Sequence, residues 1–161
     1  MKQACILTSM YIFAVVFLMF ILPTLSVAIE LVVNKNPGAL IDLVTKWFVF
    51  WAIGVRLFTA GLRQIIRPGL TSEGILGIKG KQAWQLVREL GFANVSIGLV
   101  AIVSLWIPAW QPAAALAGCL FLLLAGAEHI PKKHRNFEEN IAMYSDLIIG
   151  LLLAVCLLYR L

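Results

Sequence analysis

Two sets of residues in this chain are of types that do chemistry. The run "EHIPKKHRNFEE" (128–139) holds Glu128, His129, His134, Glu138 and Glu139 close together. Imidazole and carboxylate are the ligand types of metal-assisted or redox catalysis. A histidine beside carboxylates at a helix end is equally a capped, solvated boundary, and the break at Pro131 leaves no fixed ligand geometry. No metal site, cofactor or catalytic residue is therefore assigned, and an enzyme stays one open class. The second set lies inside apolar stretches: Arg56 and Arg63, then Arg88, Glu89 and Asn94, then Glu128 and His129, then Asn140, Tyr144, Ser145 and Asp146. Charge in such surroundings costs roughly 3 kcal/mol per group at a bilayer centre unless paired, so it marks a polar network or a binding site.

The elements that must carry these residues follow from composition. Of 161 residues, 61% are hydrophobic and 13% charged, with a mean hydropathy of +0.94. A soluble domain is roughly half apolar. An integral membrane protein is indicated, and the expected fold is all-α: one polytopic transmembrane helix bundle forming a single domain over 1–161. Spans are expected at about 5–33, 40–63, 83–106, 112–130 and 139–160, each near the roughly 20 residues a bilayer core requires. Strand-like alternation is absent, so helices are the architecture that satisfies the backbone in lipid.

Lys2, Arg63, Arg67, Lys79, Lys81, Lys132, Lys133 and Arg135 fall at the N-terminus and in the second and fourth connections. The third, "WIPAWQP", is uncharged; the first holds Lys35, and Arg160 lies at the C-terminus. The positive-inside rule makes the basic side cytoplasmic, with the N-terminus in and the C-terminus out. The formal charge of +5 thus reads as topology and anionic lipid contact, not as nucleic-acid binding. Lys2, the apolar run and "SVAIE" also have the outline of a secretory signal. The run from Ala4 to Leu22 exceeds the usual signal core, so an uncleaved first helix kinked at Pro23 is expected, with four spans as the alternative.

On this topology every polar intramembrane residue lies in the cytoplasmic half. At 100° per residue Arg56 and Arg63 share a face with Ala52, Thr59 and Ala60, and Trp47, Trp51, Gly54 and Phe58 lie opposite. The arginine face is expected to meet other helices and the aromatic face to meet lipid. Gly91, Asn94 and Gly98 form a close-packing face of the third helix, with Glu89 nearly opposite; Ala114, Gly118, Ala125 and His129 form another on the fourth. Asp146 shares its side with Glu139, Met143 and Gly150. Arg56 lies 7 residues, roughly 10 Å, deeper than Arg63, and needs an acidic partner, for which Asp146 and Glu89 match in depth. Arg88, Glu89 or both are expected to complete a charge network with Arg56, Glu128, His129 and Asp146.

Cys5, Cys119 and Cys156 stand singly and read as packing residues. No internal repeat, phosphate loop, Ser/His/Asp frame or HExxH motif is present.

"RELGFAN", then "LAGAEHI", then "NFEENIAMYSDLIIG" resemble an uncharacterised prokaryotic multi-pass membrane family of unknown function, over about 47–155 by this motif order. The architecture is also distantly similar to small DoxX-like four-helix proteins. The resemblance implies a prokaryotic cytoplasmic (inner) membrane location and points to Arg88, Glu89, Asn94, His129, Asn140 and Asp146 without giving them a role. Three readings stay open. The favoured one is a structural or assembly partner, joined to another membrane protein or to copies of itself. The second is binding or transport of a lipid, quinone-like molecule or proton at the polar cluster. The third is a membrane enzyme.

Overall fold

The computed structural model describes residues 2–34, 39–74 and 77–160, with side chains from residue 9 onward. The side chains of Lys2 and Cys5, and Lys35 in the first connection, lie outside this description. Among the described residues every element is helical. α1 (Lys2–Val16), a π-helical stretch (Phe17–Ile21) and α2 (Leu22–Val33) form one unbroken run. A second run joins α3 (Leu40–Phe48), a longer π-helical segment (Val49–Val55) and α4 (Arg56–Ile66). Short α5 (Pro68–Ser72), then α6 (Lys81–Val103), a 3-10 turn (Pro108–Trp110), α7 (Gln111–His129) and α8 (Phe137–Tyr159) complete the chain.

Among the described residues, four helices are long and apolar enough to cross a membrane: Ser9–Val33, Lys81–Val103, Pro108–His129 and Phe137–Tyr159. The run 40–66 is as long, yet Asp42, Lys46, Arg56 and Arg63 dilute its apolar character. Five spans were expected; four helices meet that standard of length and composition.

Pro23 falls at the start of α2, directly after the first π-helical stretch. Its ring removes one backbone donor and crowds the carbonyl four residues earlier, at Met19, which lies within the wider turn.

α4 packs most closely on α6, and α7 on α8. Glycines set the first approach. A β-carbon on Gly98 would stand 2.5 Å from Phe58 N and 2.8 Å from Gly54 O, and one on Gly61 would stand 2.6 Å from Gly91 O. Backbone meets backbone there, the arrangement that lets helices associate in lipid, where apolar side chains gain little by leaving the solvent. The second pair closes through Gly126 against Leu147 and Gly150 against Leu123. Met19, Val49, Ile53, Leu57, Leu122, Ile149 and Leu153 fill the centre. Cys119 and Cys156 are buried and free, and the Cys119 thiol donates to Gly150 O at 3.2 Å.

The aromatic face of the second run does not point outward as expected. Trp47 Nε1 donates to Glu30 at 2.6 Å and Trp51 Nε1 to Ser26 Oγ at 2.9 Å, both on α2, while Gly54 is buried against α6. The π-helical segment explains the difference: bonding from i to i+5 winds fewer degrees per residue, so a uniform 100° step misplaces α3 relative to α4. Indole N–H groups also seek acceptors, which α2 supplies. Lys46 completes this corner through its 2.8 Å ion pair with Glu30.

Candidate functional site

Between the α4/α6 pair and the α7/α8 pair, closed on one side by α1, lies a cavity of about 330 Å³. Each wall has a local cause. α8 turns Glu139, Met143, Asp146 and Gly150 to its buried side, and Asp146 reaches the cavity. α6 buries Gly91, Asn94 and Gly98 against α4, which delivers Asn94. α4 contributes Arg56, Thr59, Ala60, Arg63 and Gln64, and α7 contributes Phe121, Ala125 and His129. Tyr11 and Val15 of α1, Leu18 of the first π-helical stretch and Leu90 of α6 add apolar surface, and Thr71 of α5 also lines the cavity.

Arg56 Nη2 stands 3.0 Å from Asp146 Oδ1, with side chains 14% and 7% exposed. Two charges so far from water are tolerated only in close company. The approach is an ion pair without an aligned hydrogen bond, since Asp146 Oδ1 has no hydrogen-bond partner among the described residues. Asn94 Nδ2 donates to Gln64 Oε1 at 2.7 Å and leaves Asn94 Oδ1 without a partner, as is His129 Nδ1. Ser72 Oγ and Trp84 Nε1 are in the same condition elsewhere. Three of five such atoms thus belong to residues of one cavity. A buried polar atom left unsatisfied costs about 1–3 kcal/mol, and three such atoms belong to residues that line the same open volume. Arg63 has no ion pair or hydrogen bond among the described residues.

Next to the cavity, the 128–139 run is engaged in holding helix ends. Asn136 Oδ1 accepts from Glu139 N at 2.8 Å and Glu139 Oε2 accepts from Asn136 N at 3.1 Å, a reciprocal capping box that starts α8. Lys132 pairs with Glu139 Oε1 at 3.2 Å, and His129 Nδ1 lies 3.8 Å from the same oxygen. Arg135 Nη1 donates to the carbonyls of His129, Ile130 and Lys132, satisfying acceptors that α7 leaves at its C-terminus. No three His, Cys, Asp or Glu side chains among the described residues come together as metal ligands. Glu128 and His134 are exposed, so the five acid and imidazole groups named from the sequence do not share one centre.

Of the polar residues singled out in the sequence, Arg56, Arg63, Asn94, His129 and Asp146 meet at the cavity. Arg88, Glu89, Glu128 and Tyr144 are exposed. The network expected to include Arg88, Glu89 and Glu128 therefore does not form in that composition: α6 seats Asn94 against α4 and so turns Glu89 away, where it accepts from Gln85 at 3.4 Å. Asn140 is half-buried and accepts from Arg135 Nε at 2.9 Å. Sequence reasoning missed Tyr11 and Gln64. A lone hydroxyl in the apolar first helix, and an amide beside Arg63, were their signals. It missed Glu30 with Lys46 as well, whose opposite charges flank the first connection.

Searches against curated proteins and against solved structures return no match. A family description does match, from within α1 to the end of α8, taking in every cavity residue except Tyr11. Over residues 13–160 the chain fits the family of unknown function DUF6790, and it belongs to that family.

Proposed function

We propose that this membrane protein binds a small amphipathic molecule in the cavity between its two helix pairs. The observation that carries the reading is the joint presence there of unsatisfied buried polar atoms and open volume. A purely structural network closes on itself, because each unmet group subtracts from stability. Here Asp146 Oδ1, Asn94 Oδ1 and His129 Nδ1 lack hydrogen bonds and Arg63 lacks a counter-ion, all beside apolar Val15, Leu18 and Phe121. Convergent polar groups on a largely apolar wall are the usual composition of a small-molecule site, and this volume lies at the lower end of the range, roughly 300–1,000 Å³.

The chain sits in this reading as a five-span bundle of the cytoplasmic membrane. The run 40–66 forms the fifth span, long enough at 1.5 Å per residue and bearing its two arginines toward the cavity. The basic connections lie on the cytoplasmic side with the N-terminus, and the cavity occupies that half. Asymmetry of Lys and Arg supports the orientation.

Filling the cavity tests the binding reading. Ala60→Leu and Ala125→Leu each add bulk at the wall. Protein taken from native membranes into nanodiscs is expected to carry a stoichiometric small molecule by mass spectrometry. The two variants should lose it while melting within a few degrees of the parent. A parent that carries nothing, or variants that keep the molecule, would sink the proposal.

A further inference from the structure

The ionisable groups around the cavity are unevenly matched. Two guanidinium groups, Arg56 and Arg63, face one carboxylate, Asp146, and Arg56 takes that carboxylate for itself at 3.0 Å. Arg63 is left without an ion-pair or hydrogen-bond partner among the described residues, seven residues and about two turns along the same helix face from Arg56. A guanidinium presents a planar fork of donors that suits phosphate or carboxylate oxygens two at a time. Asp146 Oδ1 calls for the opposite kind of group. It is an acceptor in a buried side chain, 5% exposed, and no donor is aligned on it. Both needs are met at once by a ligand that is an anion and also carries a hydroxyl.

We propose that the cavity takes a singly charged phosphate or carboxylate whose head group bears at least one free hydroxyl, the anion held by Arg63 and the hydroxyl donating to Asp146. This rests on the binding reading above and gives it a ligand class. A dianion would exceed the single unmatched positive charge, a cation would meet Arg63 as a like charge, and a hydroxyl-free anion would leave the Asp146 oxygen unmet. Two sources share the chemistry: a membrane lipid such as one with a phosphoglycerol head, and a free hydroxyl-bearing phosphodiester from the aqueous phase.

The test exposes purified full-length protein to mixed vesicles containing phosphatidylglycerol, hydroxyl-free phosphatidylmethanol and zwitterionic phosphatidylcholine in equal amounts. Retained lipid is read by native mass spectrometry. Phosphatidylglycerol should be retained over phosphatidylcholine by about tenfold, the scale of one charge-assisted contact, and over phosphatidylmethanol by a smaller factor. Arg63→Gln should abolish the preference for both anions and Arg63→Lys should keep most of it; the exposed loop lysines are untouched in either, so general attraction to anionic membrane is controlled. A parallel titration with glycerophosphoglycerol, a water-soluble phosphodiester that carries one negative charge and free hydroxyls, separates the sources. Saturable binding lost in Arg63→Gln assigns a free solute, and retention of lipid alone assigns a head group. Equal retention of phosphatidylglycerol with either comparison lipid, or an Arg63→Gln variant that retains phosphatidylglycerol as the parent does, overturns the ligand class. Failure of the class is distinct from failure of the site: a neutral or cationic molecule in the cavity refutes only the class, whereas a cavity that retains nothing refutes both.

Discussion

Arg56 and Asp146 are the residues whose energies are most tightly joined. Removing one member of a buried pair leaves an uncompensated charge, at about 3–5 kcal/mol, and removing both restores part of the loss. Arg56→Ala should therefore lower the detergent melting temperature, and Arg56→Ala with Asp146→Ala should recover some of it. Strictly additive losses in that double-mutant cycle would show the two groups to be independent. Glu89→Ala, by contrast, should not rescue Arg56→Ala, because Glu89 is exposed on the other side of α6; rescue would mean that α6 can turn. The sequence allowed both acids as partners for Arg56, since depth along a helix is countable from the spans. Choosing between them needed the orientation of α6. Gly91, Asn94 and Gly98 carried that information, being the residues small or polar enough to define its packed face.

Among the elements, the α4–α6 seam is the least forgiving. The β-carbon of Gly98→Ala would lie against backbone atoms of Phe58 and Gly54, which cannot rotate away as a side chain can. The helices must separate, at a cost of about 1–3 kcal/mol, and the variant should lose yield or melting temperature accordingly; a neutral Gly98→Ala would contradict the close approach. At the start of α8, Asn136→Ala removes an acceptor for Glu139 N and is expected to cost about 1 kcal/mol, seen as faster amide exchange across the first turn. Most helices of this kind could be placed from hydropathy alone. The π-helical segments could not, because nothing in "FLMFI" or "VFWAIGV" departs from an ordinary apolar helix, and the faces assigned to Trp47 and Trp51 went astray with them. The box at Asn136 is of the opposite kind: "NFEE" sets an Asn three residues ahead of a Glu before an apolar run, the written signature of a helix start, although Glu138 and Glu139 also read as possible ligands.

For the whole molecule, membrane topology is the property most open to test. In a cysteine-free background, single cysteines at Glu73 and Lys133, both exposed, should react with an impermeant maleimide only after the cytoplasmic side is opened, and one at Ala109 should react in intact cells. Labelling of Glu73→Cys and Ala109→Cys from the same side would remove a span between them and invert the proposed arrangement. Ser72, although in the same connection, is buried and would give a false negative. The membrane class was legible in the composition itself, and the clustering of Arg56, Arg63, Asn94, His129 and Asp146 in their positions along the expected spans. Which of those residues meet was not, since a cavity forms from the mismatch between two well-packed helix pairs, a relation among five helices that no single stretch encodes.

The π-helical segment at Val49–Val55 lies directly before Arg56, and it stores slack in chain length that the regular helices on either side do not have. A wide turn winds fewer degrees and rises less per residue than an α turn, so it holds about one residue more between flanking α-helices that keep their phase. Deleting one residue there lets the segment relax into regular α-helix while Arg56 and Arg63 keep facing the cavity and Glu30 and Lys46 stay paired upstream. The same deletion inside α4, between Arg56 and Arg63, turns Arg63 by about 100° relative to Arg56 and draws it back by about 1.5 Å. By hydropathy the two shortened chains would be almost indistinguishable, yet only the second takes a guanidinium off the cavity wall. Single-codon deletions between Val49 and Val55 should therefore be better tolerated, by yield and melting temperature, than single-codon deletions between Leu57 and Leu62.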